Sequence, residues 1–224
     1  MRKSRKQQKN DRRRIVPITA KTPNQKDYIR DIVDNDVIFC TGPSGSGKSY
    51  IAAGIAANHI YRDELEQIIV TRPLVCAGKD IGSLPGELDE KIKPYLLPME
   101  ENLKHFLGRD YYGKLFNDGR IRYEPLEIMR GATFHDAYMI LDEAQNCTLE
   151  QIKMFITRMG ENSKVLINGD IRQTDISKFS GLLNCIDRLE GVEGVGISRL
   201  YYEDIQRNGI IGRVLEALEE DYYD

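Results

Sequence analysis

Eight residues, GPSGSGKS from Gly42 to Ser49, constrain this chain more than any others. Three glycines in six positions would weaken a helix or a strand, so the segment must be a turn. The spacing of Gly42, four residues, then Gly47, Lys48 and Ser49 is the G-x-x-x-x-G-K-[ST] pattern. VIFCT, Val37 to Thr41, precedes it as a short run of β-formers, and SYIAAGIAANHIY follows with helical spacing. Strand, turn and helix in that order aim backbone N–H groups inward as a nest for phosphate oxygens, which a Cβ would obstruct. Lys48 adds a mobile charge for the β- and γ-phosphates, Ser49 a hydroxyl for Mg²⁺, and the helix its positive N-terminal end. Gly42, Pro43, Ser44, Gly45, Ser46, Gly47, Lys48 and Ser49 are therefore the expected nucleotide-binding segment. A chance glycine-rich match has odds on the order of 1% in a chain this long.

The remaining elements alternate. Helix 22–33 starts at Thr22 with Pro23 in its first turn. Strands are expected at 37–41, 67–71, 120–124, 137–141, 164–168 and 194–200, and helices at 48–61, within 87–118, and at 148–159, 179–190 and 203–220. This alternation predicts an α/β fold, a mostly parallel sheet with helices on both faces. Residues 72–98, with three glycines and four prolines, are too long for a passive connector and read as a functional loop. Arg72, Lys79, Lys91 and Lys93 make it a candidate surface for a polyanion.

AYMILDEAQN places a buried-strand pattern, Ala137 to Leu141, directly before Asp142, 94 residues after Lys48, and Glu143. Acids at the C-terminal end of a parallel strand stand where open sheets bind ligands. Asp142 is read as part of the Mg²⁺ shell and Glu143 as the base that orients and deprotonates water. An acidic helix N-cap is the alternative. KVLIN runs into GDIRQTD, putting Asp170, Arg172 and Gln173 at the same end of the sheet. Gln173 is expected to sense the γ-phosphate or position water, although Gly-Asp after a strand is also an ordinary turn. Gln25, 17 residues before Gly42, has an amide matched to the N6 and N7 edge of adenine, which spacing alone leaves open. His59, His105 and His135 stand apart without ligand spacing and are read as packing residues.

Charge is uneven. Residues 1–14 hold eight Lys or Arg against Asp11, a net +7, so the rest of a chain of net charge −3 carries −10. Such an arm cannot pack a core; residues 15–224 are expected to form one domain. The arm suits RNA, DNA or another polyanion through counterion release, or serves as a solubilising tail. No apolar run is long enough to span a membrane, and the first residues lack a signal-peptide h-region. Cys40, Cys76, Cys147 and Cys185 form no C-x-x-C pair, so a reduced cytoplasmic compartment fits.

From TPNQKDYI to VLEAL, through GPSGSGKSY, TRPLVCAGKDIGSLPGELDEKIKPYL, MRGATF, LDEAQN, KMFITRMG and NGD, the chain resembles the PhoH-like ATPase family. The resemblance implies a RecA-like P-loop core related to superfamily 1 helicases, Mg²⁺-dependent ATP hydrolysis, and association with RNA metabolism and phosphate starvation. TPNQ is similar to the helicase Q motif, which favours Gln25 as an adenine reader. Arg207, in DIQRNGIIGR, lies near the position where related ATPases carry a transition-state arginine; Arg172 and Arg130 are further candidates, and a surface salt bridge with Glu203 or Asp204 is the alternative. Two departures stand out: Ser49 replaces a frequent threonine, and the GDIRQTDIS and DIQRNGIIGR segments differ from the family's usual wording. No PIN ribonuclease segment is present, so no nuclease activity is expected. The implied protein is an ATPase acting on single-stranded RNA as a homo-oligomer. Because superfamily 1 motors close two cores around ATP, a hexameric ring is expected. A small P-loop kinase and a nucleotide-dependent assembly or host-interaction protein are the rival readings.

Overall fold

The computed structural model describes residues 15–73, 88–173, 180–206 and 210–219. The basic arm, most of the 72–98 loop, Arg207 and the acidic end lie outside the described residues.

Six strands form one sheet: β1 (Val37–Thr41), β2 (Gln67–Thr71), β3 (Ile121–Tyr123), β4 (Ala137–Leu141), β5 (Lys164–Gly169) and β6 (Val195–Arg199). Their order is β3-β2-β4-β5-β1-β6, and every pairing is parallel. Parallel neighbours need crossovers, which the helices supply: α1 (Pro23–Asp34), α2 (Lys48–Tyr61), α3 (Leu88–Leu107), α4 (Arg109–Asn117), α5 (Leu149–Ile156), α6 (Gly181–Leu189) and α7 (Ile210–Glu219).

Strand residues divide by period two into two cores. Ile38, Cys40, Ile68, Val70, Tyr138, Ile140 and Leu166 pack with α1 to α4. Phe39, Ile69, Met139, Leu141, Val165 and Ile167 pack with α5 and α6. Helices therefore cover both faces, as expected. Helix α2 is buried on nearly every side because it is built of alanine, isoleucine and glycine. A Cβ on Gly54 would stand 2.8 Å from Phe106 of α3, so glycine permits that close crossing.

The caps are local. Thr22 accepts from the Gln25 N–H at 3.2 Å and Pro23 occupies the first turn of α1. Thr148 and Gln151 form a reciprocal capping box on α5. Two expected helices are shorter than their patterns. Helix α5 stops at Ile156 because Arg158 and Met159 turn back onto Phe155 and Ile156 through i→i+3 bonds. The 203–220 pattern begins as a 3₁₀ turn, Tyr202–Asp204, and Ile205 and Gln206 leave it before α7, Ile210–Glu219. Asp204 is fully buried there, accepting from Thr22 Oγ1, from Asn24 Nδ2 at 3.0 Å and from the Tyr201 N–H at 2.7 Å. Those bonds hold it against α1.

Candidate nucleotide-binding site

The loop between β1 and α2 needs backbone that side chains resist. Gly42 has φ +151°, and a Cβ there would lie 2.5 Å from the Leu200 carbonyl oxygen. Gly47 caps α2 in the left-handed region at φ 100°. Neighbouring segments fix the loop at several points. The Gly42 N–H donates to Gly169 O at 3.2 Å, and the Gln206 N–H donates to Gly45 O at 3.1 Å. Gln25 Nε2 donates to Ser46 O at 2.9 Å, while its Oε1 accepts from the Lys21 N–H at 2.8 Å. The Gln25 amide thus braces the loop. Its second N–H meets Asp204 O only at a long 3.5 Å, and one lone pair of Oε1 is left over, so the amide keeps capacity for a further partner. Lys48 Nζ is held inside the loop, donating to Gly42 O at 2.6 Å and Pro43 O at 2.9 Å.

Strand β5 lies between β1 and β4, so the loop and the two acids face each other across its C-terminal end. Ser49 Oγ closes the gap, donating to Asp142 Oδ1 at 2.8 Å. Burial above all, and then the adjacent Glu143, raise the Asp142 carboxyl above the usual carboxylate range. The Ser49 hydrogen bond, Arg72 and Lys48 oppose that rise. Two oxygen donors side by side, one hydroxyl and one carboxylate, suit a hard cation such as Mg²⁺, which completes its shell with phosphate and water oxygens.

Glu143 has left-handed backbone, φ 57°, where a non-glycine residue is strained. Its carboxylate is engaged on both oxygens. Gln145 Nε2 donates to Oε2 at 2.6 Å, and Arg72 NH2 stands 3.9 Å from Oε1. Gln145 is itself buried, accepting from the Asp170 N–H at 2.9 Å through Oε1. A Cβ on Gly169 would come within 2.9 Å of that oxygen, so glycine at the end of β5 leaves room for the bridge. Asp170 Oδ1 accepts from the Arg172 N–H at 3.1 Å, and its carbonyl accepts from the Gln173 N–H at 3.1 Å.

These groups enclose a cleft of about 610 Å³, within the range of small-molecule sites. Gln25, Ser44, Gly45, Gly47, Lys48, Ser49, Asp142, Glu143 and Gln173 all line it. Gly42, Pro43 and Ser46 form the underside of the loop, where Ser46 Oγ donates to Pro43 O at 2.8 Å. Arg172 turns instead toward Tyr202, donating to its hydroxyl at 2.7 Å and lying over its ring.

The cleft also holds residues that sequence reasoning missed. Arg72, assigned to a polyanion surface, stands beside Glu143, and Gln145 follows the acids by only two positions. His105, read as a packing residue, lines the cleft next to Tyr50, whose hydroxyl is 3.2 Å from His105 Nε2. The signal for Gln145 was present in LDEAQN. For His105 there was none, because α3 folds back over the cleft from far along the chain, and Arg72 comes in through the parallel pairing of β2 with β4.

Comparison with known proteins agrees with this architecture. The chain is similar to the large terminase of bacteriophage HK97, with a TM-score of 0.53 and 18% identity over 84% of this chain and 42% of that one. It is also similar to the large terminase of a thermophilic bacteriophage in complex with ADP, with a TM-score of 0.50 and 13% identity over 91% of this chain and 50% of that one. At such identities the likeness concerns the fold, a RecA-like P-loop domain. Among sequences, it is 42% identical over 205 residues to a PhoH-like protein of Bacillus subtilis, covering 91% of this chain and 64% of that protein. It is 41% identical over 211 residues to Protein PhoH of Escherichia coli K12, covering 92% and 60% respectively. The chain thus spans about three fifths of these curated relatives. With residues 17–219 matching the family model described as PhoH-like protein, the chain belongs to the PhoH-like protein family.

Proposed function

We propose that this protein hydrolyses ATP with Mg²⁺ and couples hydrolysis to binding, remodelling or unwinding of single-stranded RNA. The observation that carries the hydrolytic half is the meeting of Ser49 and Asp142 at 2.8 Å, which sets Glu143 at the mouth of the same cleft as Lys48. The ADP held by the thermophilic phage terminase supports a nucleotide in such a cleft.

The loop N–H groups and Lys48 bind the phosphates, and Ser49 and Asp142 hold the cation. Mg²⁺ when bound neutralises charge on the phosphate oxygens. Glu143 accepts a proton from water as the water oxygen bonds to the γ-phosphorus and the bond to the bridging β–γ oxygen breaks, giving ADP and phosphate. Gln173 lines the cleft where it can orient that water. Gln25, with spare hydrogen-bonding capacity on its amide, reads adenine.

RNA coupling is supported by the +7 charge of residues 1–14 and by family membership. A homo-oligomeric ring, hexameric in our reading, would supply the second wall that one core lacks, with Arg207 entering a neighbour's cleft. ATPase measurement with and without single-stranded RNA tests the coupling: stimulation is expected, and turnover indifferent to RNA would refute it. Mixing Arg207→Ala with Lys48→Ala subunits tests the ring. Recovered activity is expected, because a mixed interface can pair an intact loop with an intact arginine. Full activity of Arg207→Ala alone would refute the assignment.

A further inference from the structure

We infer that Arg72 is a positioning residue that orients the Glu143 carboxylate and ties it to α3. The inference rests on the hydrolytic reading of Glu143 above. Thr71, the last residue of β2, is in register with Leu141 of β4, and the Asp142 N–H donates to Thr71 O at 3.0 Å. This locks the ends of two adjacent strands and brings Arg72 and Glu143 side by side on rigid backbone.

Arg72 is largely enclosed, its side chain 25% exposed, and its planar fork donates to one acceptor while facing the carboxylate as an ion pair. NH1 donates to the Tyr95 carbonyl at 3.0 Å, with the guanidinium carbon 5.7 Å from the centre of the Tyr95 ring. NH2 faces Glu143 Oε1 at 3.9 Å, while Gln145 grips Oε2 at 2.6 Å. The carboxylate is therefore held from two sides, by Gln145 from its own strand end and by Arg72 from β2. The second grip is anchored on α3. Pro98, Asn102 and His105 continue that helix along the cleft from Tyr95 at spacings of three, seven and ten residues. A displacement of α3 would thus reach the base through one side chain.

A guanidinium in this cleft could instead act on the phosphates directly, and a double-mutant cycle separates the two roles. ATP binding and single-turnover hydrolysis of labelled ATP would be measured for the full chain, Arg72→Ala, Glu143→Gln, the double variant and Arg72→Lys. Arg72→Ala is expected to slow hydrolysis roughly 10²-fold with ATP affinity unchanged. In the Glu143→Gln background the same change should add nothing, since the carboxylate it positions is gone. Arg72→Lys should recover part of the rate, because an ammonium can face Glu143 but cannot also hold the Tyr95 carbonyl. Weakened ATP binding in Arg72→Ala, or equal slowing in both backgrounds, would overturn the inference. A Glu143→Gln variant as fast as wild type would overturn the hydrolytic reading itself. If Arg72→Ala proves unstable, Arg72→Gln keeps a donor for Tyr95 and allows the same comparison.

Discussion

Ser49 Oγ donates to Asp142 Oδ1 at 2.8 Å, joining residues 93 positions apart. That single bond measures how well the two halves of the site are assembled, since one residue lies in the first turn of α2 and the other follows β4. Any change that moves β5 between them must stretch it.

Lys48→Ala and Glu143→Gln should fail at different steps. Removing Lys48 takes away the charge meant for the phosphates, so ATP binding is lost. Glu143→Gln keeps the binding surface and removes the base, so ATP binds normally and turns over about 10²- to 10⁴-fold more slowly. Equilibrium binding beside single-turnover kinetics checks this, and parallel loss of binding in both variants would contradict the role given to Glu143.

Gly169→Ala should damage hydrolysis more than binding. The new methyl would lie 2.4 Å from Leu182 Cδ2 and 2.9 Å from Gln145 Oε1, so Gln145 must move and release Glu143. A stability loss of about 1–3 kcal/mol from overpacking is expected as well. Urea unfolding and kinetics together would show it; kcat at the wild-type level in the folded variant would mean that Gln145 does not position the base.

The fold was legible where local chemistry decides it. β1, α2, β2 and β4 fall on their expected residues, because short apolar runs and the glycine turn need no distant partner. The 203–220 pattern misled because Asp204 answers to Thr22 and Asn24, about 180 residues away in the chain. The loop and the acids could be read for the same reason as the strands. His105 could not, because its place depends on how α3 crosses the cleft, and Arg72 could not, because its place depends on β2 pairing with the distant β4.

Deleting residues 2–14 should weaken binding to single-stranded RNA and flatten its salt dependence, leaving RNA-free ATPase intact. Every RNA phosphate that the shortened chain no longer neutralises lowers the log–log salt slope by about 0.7. Titrations across a salt series decide the matter, an unchanged slope meaning that the arm does not touch the RNA backbone.

Stability should fall as pH drops below about 6.5 in a way that depends on His59. Burial lowers the pKa of His59, and Glu64 at 3.2 Å opposes this while Lys164 and Arg62 reinforce it. The folded pKa is below the unfolded one, so the unfolded chain takes up the proton first as pH falls. The contribution is complete above the unfolded value and declines toward the folded one. His59→Gln should flatten this part of the curve, and urea midpoints between about pH 5 and 7.5 would reveal it. Parallel curves for the two proteins would contradict the assignment.

The phosphate loop is held by α1 through Gln25 and by the segment after β6 through Gln206. During synthesis those two supports emerge far apart in time, the second only when the ribosome has released residue 206. A nascent chain that stops short carries every glycine of the loop but not the Gln206 and Leu200 contacts that shape it. The loop consequently gains its full set of supports only near the end of each polypeptide's synthesis.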